Sequence, residues 1–215
     1  MITVESLVVS LFQSNCYLVR PDGASQVLVV DPGDDAPEII RRLRELGVTV
    51  AAYLITHGHV DHVSALADVY RAFPAPVAMH PSDSCWAFSP IAAMPPYYDA
   101  PVAPPEIARV LNGGQVWEDL GLRYRIIETP GHSPGGVAFY FSDEKALFAG
   151  DSLFRGSIGR SDLPGADPAA LAASLQRLLC LPDDTVVYGG HGPATTIGRE
   201  KRTNPFLQDF SWAEG

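Results

Sequence analysis

Residues 56–62, THGHVDH, place three histidines and one aspartate within seven consecutive positions. The whole chain has only six histidines, so half of them lie in this segment. Such a polar cluster after an apolar run can also be a solvated turn that leads into a helix. In an extended loop, however, residues two apart face the same side, so His57 and His59 could bind one metal ion. Asp61 and His62 would then turn toward a second ion, and the spacing therefore predicts a metal-binding loop.

Three further motifs place a potential metal ligand directly after an apolar run. They are TPGHSPGG with His132, AGDSLF with Asp151 and YGGHGP with His191. Imidazole and carboxylate in this ratio suit zinc, iron or manganese, whereas calcium prefers oxygen ligands and structural zinc usually takes thiolates. Seven ligands exceed the needs of one tetrahedral ion, but two ions about 3.5 to 4 Å apart that share a carboxylate would use all of them. We therefore expect two divalent metal ions, zinc before iron or manganese, with Asp151 as the shared ligand.

The composition limits the classes of protein to which the chain can belong. Its 215 residues are 47% hydrophobic and 19% charged, which is typical of a soluble domain, and we expect one domain over residues 1–215. The formal net charge of −10 argues against a nucleic-acid partner, which would need a clustered basic face. No window approaches the roughly 18 to 20 consecutive apolar residues of a membrane span, and no basic signal segment is visible. We expect a cytoplasmic protein with no membrane partner.

The cysteines indicate a reducing compartment. Cys16, Cys85 and Cys180 are odd in number, far apart in the sequence and without a CxxC pair. This pattern fits reduced thiols better than a disulfide framework or a thiolate zinc site. We interpret all three as small buried hydrophobic residues and not as catalytic thiols.

The first half of the sequence predicts strands that alternate with helices. ITVESLVVS, CYLVR and QVLVVD are short β-branched runs and predict antiparallel strands. After Asp35, apolar residues recur at helical spacing through Leu46, and Gly47 supplies a stop signal. VAAYLIT then predicts a buried strand that ends at Thr56, and VSALADVYRAF predicts the next helix. The histidine loop lies between them, in a position typical of active-site loops.

The second half repeats this order of elements. Six prolines between residues 88 and 110 first predict an irregular excursion, which could cover a site. Strands are then predicted near QVWEDL, LRYRIIET, VAFYFSD and KALFAGD, followed by a helix over residues 168–179 and a last strand in TVVYGG. Two β-rich halves with outer helices predict an α/β fold in the form of a four-layer αββα sandwich, with the strand-end loops gathered at one edge.

HGHVDH, followed in order by GHSPGG, GDSLF and GGHG, resembles the metallo-β-lactamase superfamily and, within it, the glyoxalase II-like hydrolases. The resemblance covers essentially the whole chain, including VVDPG, GSIGRSDLPG and the closing GREKRTNPFL. It implies the αββα fold. It also implies that His57, His59 and His132 bind one metal ion, that Asp61, His62 and His191 bind the other, and that Asp151 bridges them.

The resemblance also implies roles for two residues outside the ligand set. Asp31 matches an aspartate that hydrogen-bonds the ligand loop. Arg160 matches the position where glyoxalase II directs a Lys or Arg toward the carboxylate of glutathione, although an ion pair with Asp162 would explain it equally well. His80, the sixth histidine, also follows a strand and could line the site, but we favour a structural or capping role.

The implied activity is that of a binuclear metal-dependent hydrolase, most simply a thioesterase that cleaves S-lactoylglutathione or a related acyl thioester. A hydroxide that bridges two cations has a lowered pKa and can attack a carbonyl carbon at neutral pH. Asp61 is expected to orient this hydroxide and to shuttle its proton. Since thiol pKa values lie near about 8.5, a thiolate leaving group needs little protonation, and the sequence offers no obvious general acid.

Other branches of the superfamily fit the ligand set less well. Asp151 stands where many true β-lactamases have a cysteine or lack a bridging carboxylate, and His59 stands where flavodiiron proteins have a glutamate. Glyoxalase II itself has a carboxy-terminal helical domain that is missing after NPFLQDFSWAEG, and has HEY where this chain has HGP. An iron-dependent persulfide dioxygenase that oxidises glutathione persulfide would keep the same ligands and is the alternative. A metal-stabilised binding module would use seven ligands for structure alone and is disfavoured.

Overall fold

Two six-stranded β-sheets form the centre of the fold in a computed structural model, which describes residues 2–213. The predicted domain over residues 1–215 also includes Met1, Glu214 and Gly215, which lie outside the described residues. In the first sheet the strands neighbour one another in chain order. They are β1 (Ile2–Val9), β2 (Ser14–Pro21), β3 (Gln26–Val30), β4 (Thr49–Leu54), β5 (Val77–Met79) and β6 (Arg109–Val110). The first three strands are antiparallel, and β3 to β6 are parallel.

The second sheet repeats this change from antiparallel to parallel pairing. It contains β7 (Val116–Asp119), β8 (Leu122–Glu128), β9 (Val137–Phe141), β10 (Ala146–Gly150), β13 (Val186–Gly189) and β14 (Thr195–Thr196). Strands β7 to β10 are antiparallel, β13 joins β10 in parallel, and β14 closes the edge beside β13. A small separate hairpin consists of β11 (Leu153–Phe154) and β12 (Ser157–Ile158).

The helices lie outside the two sheets or in the connecting loops. They are α1 (Ala36–Leu46), α2 (Val60–Val63), α3 (Leu66–Ala72), α4 (Pro81–Ser84), α5 (Pro168–Leu179), α6 (Ile197–Thr203) and α7 (Pro205–Gln208), with short 3-10 helices at Pro90–Ala92 and Ser211–Ala213. Parallel pairing requires a crossover connection, and α1 and α5 supply it between β3 and β4 and between β10 and β13.

Three apolar clusters fill the spaces between four layers. Strand β3 contributes Val27 and Val29 to the cluster beneath α1 and α3, and contributes Leu28 and Val30 to the cluster between the sheets. This assignment follows the two-residue period of a strand that is buried on both faces. The third cluster packs α5 and α6 against the outer face of the second sheet. The predicted four-layer αββα sandwich is therefore confirmed.

Local sequence signals set the ends of the two long helices as predicted. Gly47 ends α1 in the left-handed conformation with φ 62°, and its N–H donates to the carbonyl oxygen of Arg44 at 3.0 Å. Asp167 precedes α5, and its Oδ1 accepts a hydrogen bond from the backbone N–H of Ala170 at 2.9 Å. The observed bounds of α5 match the predicted range of residues 168–179.

The single helix predicted after the histidine loop is instead two helices, α2 and α3. A continuous helix would bond the N–H of Ala65 to the carbonyl oxygen of Asp61. Here the Ala65 N–H donates to Pro32 O at 3.2 Å, and Asp61 O accepts from Ser14 Oγ at 2.6 Å. Both replacement partners come from the first strands, so tertiary contacts break the helix directly beside the predicted metal ligands.

The proline-rich excursion is irregular, as predicted, apart from one 3-10 helix and the short strand β6. Hydrogen bonds and aromatic contacts hold it against the turn between β1 and β2 and against the loop that follows β3. The Tyr98 hydroxyl donates to Asp34 Oδ2 at 2.9 Å and accepts from the Leu11 N–H at 3.1 Å. The ring of Phe12 also packs against Tyr97 and Tyr98, with centroid distances of 5.9 and 5.6 Å.

The prediction that all three cysteines are buried was wrong for two of them. Cys16 is buried in β2, whereas Cys85 and Cys180 are exposed. The two exposed cysteines lie at the carboxy-terminal ends of α4 and α5, where the chain turns at the surface. All three are free thiols, as expected. None of the helices in residues 2–213 combines the length and apolar character needed to cross a membrane.

Candidate metal centre

The seven predicted ligand side chains come together at one edge of the two sheets. The loop after β4 carries His57 and His59, and α2 carries Asp61 and His62. The other three follow β8, β10 and β13, and are His132, Asp151 and His191 respectively. Each lies just beyond a strand whose own hydrogen bonds fix the position of its end. Backbone hydrogen bonds also join the sheets here, from Val137 N to Thr56 O at 2.8 Å and from Asn15 N to Gly190 O at 2.7 Å.

His57, His59 and His132 form a group that we call the first triad. One ring nitrogen or carboxylate oxygen from each member of such a group lies within 4.8 Å of the others. Nδ1 of His59 lies 2.8 Å from Nε2 of His132, and the ring centroids of His57 and His59 are 5.0 Å apart. The two histidines of HGH therefore do face one side, as their spacing predicted.

Asp61, His62 and His191 form the second triad, which meets the same distance limit. Oδ2 of Asp61 lies 3.5 Å from Nε2 of His62 and 3.4 Å from Nε2 of His191. His62 is fully buried, whereas His191 is partly exposed. The second triad therefore has one side that solvent can reach.

Asp151 lies between the two triads. Its Oδ2 is 3.5 Å from Nε2 of His132 in the first triad and 3.4 Å from Nε2 of His191 in the second. Its Oδ1 is 3.4 Å from Nε2 of His62. One carboxylate thus faces imidazoles of both groups, which is the placement expected of a shared ligand.

The distances around the two carboxylates of the cluster fit metal ligands better than hydrogen-bond partners. Two ligands on a tetrahedral zinc ion with bonds of about 2.0 to 2.1 Å are about 3.3 to 3.4 Å apart. The spacings of 3.4 to 3.5 Å around Asp151 and Asp61 are close to this value and longer than ordinary hydrogen bonds. Nε2 of His57, Nε2 of His62 and Oδ1 of Asp151 are buried without a hydrogen-bond partner. Because unpartnered buried polar atoms are costly, their meeting at one point fits a cation centre.

Gly190 gives the bridging carboxylate the room that it occupies. A Cβ atom at this position would lie 2.0 Å from Oδ1 of Asp151 and 2.8 Å from Cε1 of His62. Any side chain would therefore displace one of the two groups. Gly190, the second glycine of YGGHGP, is therefore needed for this close approach, and not only for the turn.

Asp31 and Thr56 contact the ring nitrogens of His62 and His57 that face away from the centre. Oδ2 of Asp31 lies 3.2 Å from Nδ1 of His62, and the two oxygens of Asp31 accept from the Thr56 N–H at 2.7 Å and the Thr56 hydroxyl at 2.5 Å. The Thr56 hydroxyl lies 3.0 Å from Nδ1 of His57. Asp31 also lies within the same distance limit of His57 and His62, but its oxygens already contact Thr56 and Nδ1 of His62, on the side of the ring away from the centre. These contacts are those of a residue that positions ligands, and this role of Asp31 stays a prediction.

Two backbone carbonyl groups orient the rings of His132 and His191. The carbonyl oxygen of Arg160 lies 2.8 Å from Nδ1 of His132, and that of Phe12 lies 3.1 Å from Nδ1 of His191. A hydrogen bond at Nδ1 leaves Nε2 as the nitrogen that can coordinate a metal ion. In both residues Nε2 is the atom that faces Asp151.

The pKa values divide the histidines into two classes. Burial, reinforced by His132, lowers the pKa of His59 to about 4, and burial also lowers the pKa of His57. Burial opposes protonation of His62 as well, but the carboxylates around it outweigh burial and raise its pKa to about 9. His57 and His59 thus offer neutral imidazoles, which is the form that coordinates metal ions.

Electrostatics in the second triad favour a positive charge beside the carboxylates. The pKa of His191 is raised to about 10, because its hydrogen-bonding contacts with Asp151 and Asp61 outweigh the effect of burial. Burial would raise the pKa of Asp151, but His62 and its other imidazole neighbours hold it well below its usual range. The pKa of Asp61 is also lowered, since His62 and His191 outweigh its burial. Both carboxylates are therefore ionised at neutral pH.

The side chains of Arg160 and His80, which the sequence also singled out, lie apart from the two triads. The guanidinium of Arg160 pairs with Asp162 at 2.8 Å and is largely exposed, so only its backbone carbonyl contacts a predicted ligand. Nδ1 of His80 accepts a hydrogen bond from the Ser82 N–H at 3.2 Å and caps α4. The capping role that we favoured for His80 is confirmed.

Two residues that contact the first triad or its loops had no signal in the sequence. Asp83 is buried in α4 and accepts hydrogen bonds from Gly58 and Ser133, which adjoin the histidines of the first triad. The ring of Trp86 lies beside that of His59, with a centroid distance of 5.5 Å. In the sequence, PSDSCW resembles the ordinary first turn of a helix, where an acidic residue is common.

Similarity to known proteins agrees with this geometry. Over 211 residues the chain is 35% identical to the hydroxyacylglutathione hydrolase GloC of Haemophilus influenzae, which covers 97% of this chain and 99% of GloC. The crystal structure of BLEG-1, described as a B3 metallo-β-lactamase, superposes with a TM-score of 0.91 at 36% identity and covers 96% of this chain and 100% of BLEG-1. A protein named TTHA1623, solved in a di-iron-bound form, gives a TM-score of 0.85 at 43% identity, over 95% of this chain and 100% of TTHA1623.

The family is established by a match that spans both triads. Residues 9–191 match the model of the metallo-β-lactamase superfamily, a range that begins in β1 and ends at His191. The clusters of histidine and aspartate and the di-iron-bound neighbour support the use of divalent metal ions. The chain therefore belongs to the metallo-β-lactamase superfamily.

Proposed function

We propose that the protein is a binuclear metal-dependent hydrolase, formed as one domain over residues 1–215, and that it cleaves S-lactoylglutathione or a related acyl thioester. The observation that carries the proposal is the position of Asp151 between two triads, with oxygens 3.4 to 3.5 Å from imidazole nitrogens of both. In the proposed ligand set, one cation is held by the first triad, another by the second triad, and both by Asp151. Zinc is the first candidate metal, before iron or manganese.

Three observations support the thioester substrate and the cellular location that we propose. GloC is a hydroxyacylglutathione hydrolase of nearly the same length as this chain. The similarity also extends over 99% of GloC, so it includes nearly the whole of that enzyme. The free thiols of all three cysteines also support a cytoplasmic protein, the compartment in which thiols stay reduced.

Two divalent cations at this site would polarise the substrate carbonyl group and lower the pKa of a water molecule. The side chains then have separate tasks. Asp61 borders the partly exposed side of the second triad, where its carboxylate can accept a hydrogen bond from the attacking water and orient it. Because its pKa is lowered, Asp61 holds a proton only in passing and transfers it onward. A thiolate product needs little protonation to leave, since thiol pKa values lie near about 8.5.

Arg160 is the proposed contact for a carboxylate of the substrate. Its guanidinium is about two-thirds exposed and is held only by Asp162 at the surface. Such a pair is weak in water, so a substrate carboxylate could replace Asp162 at little cost. The bidentate geometry of the existing pair is the geometry that a carboxylate ligand would use.

The second candidate function is iron-dependent oxidation of glutathione persulfide. The di-iron-bound form of TTHA1623, the structure with 43% identity to this chain, supports iron as the metal of this alternative. Hydrolysis of β-lactams also has to be tested, because BLEG-1 is described as a B3 metallo-β-lactamase. In the sequence, Asp151 distinguished this chain from many true β-lactamases. BLEG-1 nevertheless shares the fold and is 36% identical to this chain.

The decisive experiment combines metal analysis with three activity assays on the same preparation. The metal content of freshly purified protein is measured, together with hydrolysis of S-lactoylglutathione, oxygen uptake with glutathione persulfide, and hydrolysis of a chromogenic β-lactam. We expect two metal ions per chain and hydrolysis of the thioester. One iron ion per chain with oxygen uptake would establish the dioxygenase instead, and efficient β-lactam hydrolysis without thioesterase activity would overturn the proposed substrate.

A further inference from the structure

Asp83 is a buried carboxylate that no part of the proposed reaction uses. It lies in α4, has no exposed surface and accepts four hydrogen bonds. Its Oδ2 accepts from the Gly58 N–H at 2.8 Å and from the Ser133 hydroxyl at 2.7 Å. Its Oδ1 accepts from the Gly135 N–H at 2.6 Å and from the Trp86 indole N–H at 3.3 Å. All four donors are uncharged, so the carboxylate is balanced by dipoles alone.

The positions of these donors connect Asp83 to every member of the first triad. Gly58 lies between His57 and His59, and Ser133 follows His132 directly. One carboxylate oxygen therefore bonds to both histidine-bearing loops, which are otherwise far apart in sequence. Trp86 reaches the same centre from the other side of the carboxylate, since its ring packs 5.5 Å from that of His59.

The two histidine-bearing loops lie so close to Asp83 that they leave little room for a side chain at Gly58 or Gly135. A Cβ atom on Gly135 would lie 2.7 Å from the Asp83 backbone nitrogen and 2.8 Å from its Oδ1. A Cβ atom on Gly58 would meet the side chains of Ala87, Trp86 and Asp83 at 3.0 to 3.2 Å. The two glycines thus allow direct contact between the loops and the start of α4.

We propose that Asp83 is the positioning residue of the first triad: it fastens the loop of His57 and His59 to the loop of His132, so that their imidazoles are set for one cation. The proposal rests on the proposed ligand set but not on the proposed reaction. Residues that orient metal ligands through hydrogen bonds typically change metal affinity about 10- to 100-fold when they are replaced. The second triad has its own supports, Asp31 and the Phe12 carbonyl group, and should not depend on Asp83.

Asp83→Asn tests this idea with almost no change in shape. The amide group replaces one of the two acceptor oxygens with a donor. At the Oδ2 position it would face the Gly58 N–H, and at the Oδ1 position it would face the Gly135 N–H. The first orientation releases the loop of His57 and His59, and the second leaves the loop of His132 bonded to residue 83 only through the Ser133 hydroxyl.

The experiment separates the two cations by removing one triad at a time. Zn²⁺ affinity is measured by competition with a chromophoric chelator in His191→Ala, which retains the first triad, and in His59→Ala, which retains the second. Asp83→Asn is then added to each. We expect it to weaken Zn²⁺ binding about 10- to 100-fold in the His191→Ala background and less than about threefold in the His59→Ala background.

Glu200→Gln is the matched control for the loss of a buried carboxylate. Glu200 is also fully buried and accepts from the Gly156 N–H at 2.8 Å, the Thr195 hydroxyl at 2.5 Å and the Asn204 amide at 3.0 Å, away from the first triad. Glu200→Gln should therefore leave Zn²⁺ binding by the first triad unchanged. If Asp83→Asn does not fold, Ser133→Ala removes a single bond to Asp83 and should weaken binding about three- to tenfold in the His191→Ala background.

Equal weakening in both backgrounds would overturn the proposal, because Asp83 would then act only on general stability. Unchanged binding in the His191→Ala background would overturn it as well. If His191→Ala alone binds no Zn²⁺, the ligand set is wrong and the role of Asp83 is wrong with it. None of these outcomes depends on thioester hydrolysis, so failure of the proposed substrate stays a separate result.

Discussion

Asp31 and Asp151 lie at the two different nitrogens of the His62 ring. Oδ2 of Asp31 is 3.2 Å from Nδ1, and Oδ1 of Asp151 is 3.4 Å from Nε2. The ring is fully buried and is held between a positioning carboxylate and the proposed bridging carboxylate. Its tautomer therefore determines whether Nε2 can accept a metal ion.

Asp31→Asn should weaken metal binding at the second triad about 10- to 100-fold. If the new amide nitrogen faces Nδ1 of His62, the ring must accept a hydrogen bond there and carry its proton on Nε2. That tautomer cannot coordinate a cation through Nε2. Zn²⁺ titration against a chelator in the His59→Ala background measures the effect. Asp119→Asn, which alters a carboxylate bonded to Arg109 and Tyr124 in the second sheet, is the control. Equal affinities for Asp31→Asn and the control would refute the assigned role.

Asp151→Ala should lose both metal ions and turnover. The substitution removes the carboxylate that lies between the two triads, and it leaves His62, His132 and His191 without their shared carboxylate. Elemental analysis after purification should find well under one metal ion per chain, and thioester hydrolysis should fall to background. A variant that retains two metal ions would show that Asp151 is not a ligand.

His80→Ala should keep metal content and activity close to those of the unmodified protein. The imidazole accepts one hydrogen bond at the start of α4, so its loss should cost about 0.5 to 1 kcal/mol of unfolding free energy, which is typical of a helix cap. Urea unfolding and elemental analysis of the same sample measure the two effects. Loss of the metal ions from this variant would mean that the ligand assignment is wrong.

Removal of the metal ions should lower the melting temperature by about 8 to 16 °C. A ligand present at about 1,000 times its Kd stabilises the folded state by about 4 kcal/mol, and each kcal/mol shifts Tm by about 2 to 4 °C in a domain of this size. The metal-free protein also leaves the buried Nε2 atoms of His57 and His62 without partners. Calorimetry before and after chelation, and again after Zn²⁺ is returned, checks the expectation. An unchanged Tm would argue against a structural coupling between the ions and the fold.

Arg160→Ala should raise KM for S-lactoylglutathione about three- to tenfold with little change in kcat, since a contact remote from the reacting atoms contributes equally to the ground and transition states. The substitution keeps the backbone carbonyl that orients His132, so it removes only the side chain. Asp162→Ala is the complementary variant, because it frees the guanidinium and should lower KM or leave it unchanged. If KM is the same in Arg160→Ala, the side chain forms only a surface ion pair.

The sequence predicted those features that depend on local signals. Helix α5 has the bounds that its apolar spacing predicted, and the apolar run VAAYLIT predicted the buried strand β4, whose Tyr53 and Leu54 lie in different clusters. The two triads came from ligand type, spacing and family resemblance, and the geometry brings together the same two groups. The helix and strand predictions succeeded because each rests on a few neighbouring residues, whereas the assignment of ligands to two cations stays a prediction.

Features that depend on distant residues could not be predicted in this way. The break between α2 and α3 requires Ser14 and Pro32 from another part of the chain. The Ser14 hydroxyl donates to the Asp61 carbonyl oxygen, and the Pro32 carbonyl oxygen accepts from the Ala65 N–H. Asp83 is separated by 25 residues from Gly58 and by 52 from Gly135, so nothing near it in sequence indicates its partners. The exposure of Cys85 and Cys180 likewise follows from where their helices end at the surface.

The contact between His191 and the Phe12 carbonyl group joins residues 179 positions apart. During synthesis on the ribosome, the second triad cannot be complete until His191 has emerged and the first hairpin has docked beside it. If the second triad binds a cation as proposed, that cation can be loaded only after translation of nearly the whole polypeptide, which would link its uptake to the last stage of folding. Maturation of this proposed site in the cell would then depend on the supply of free cations at that moment.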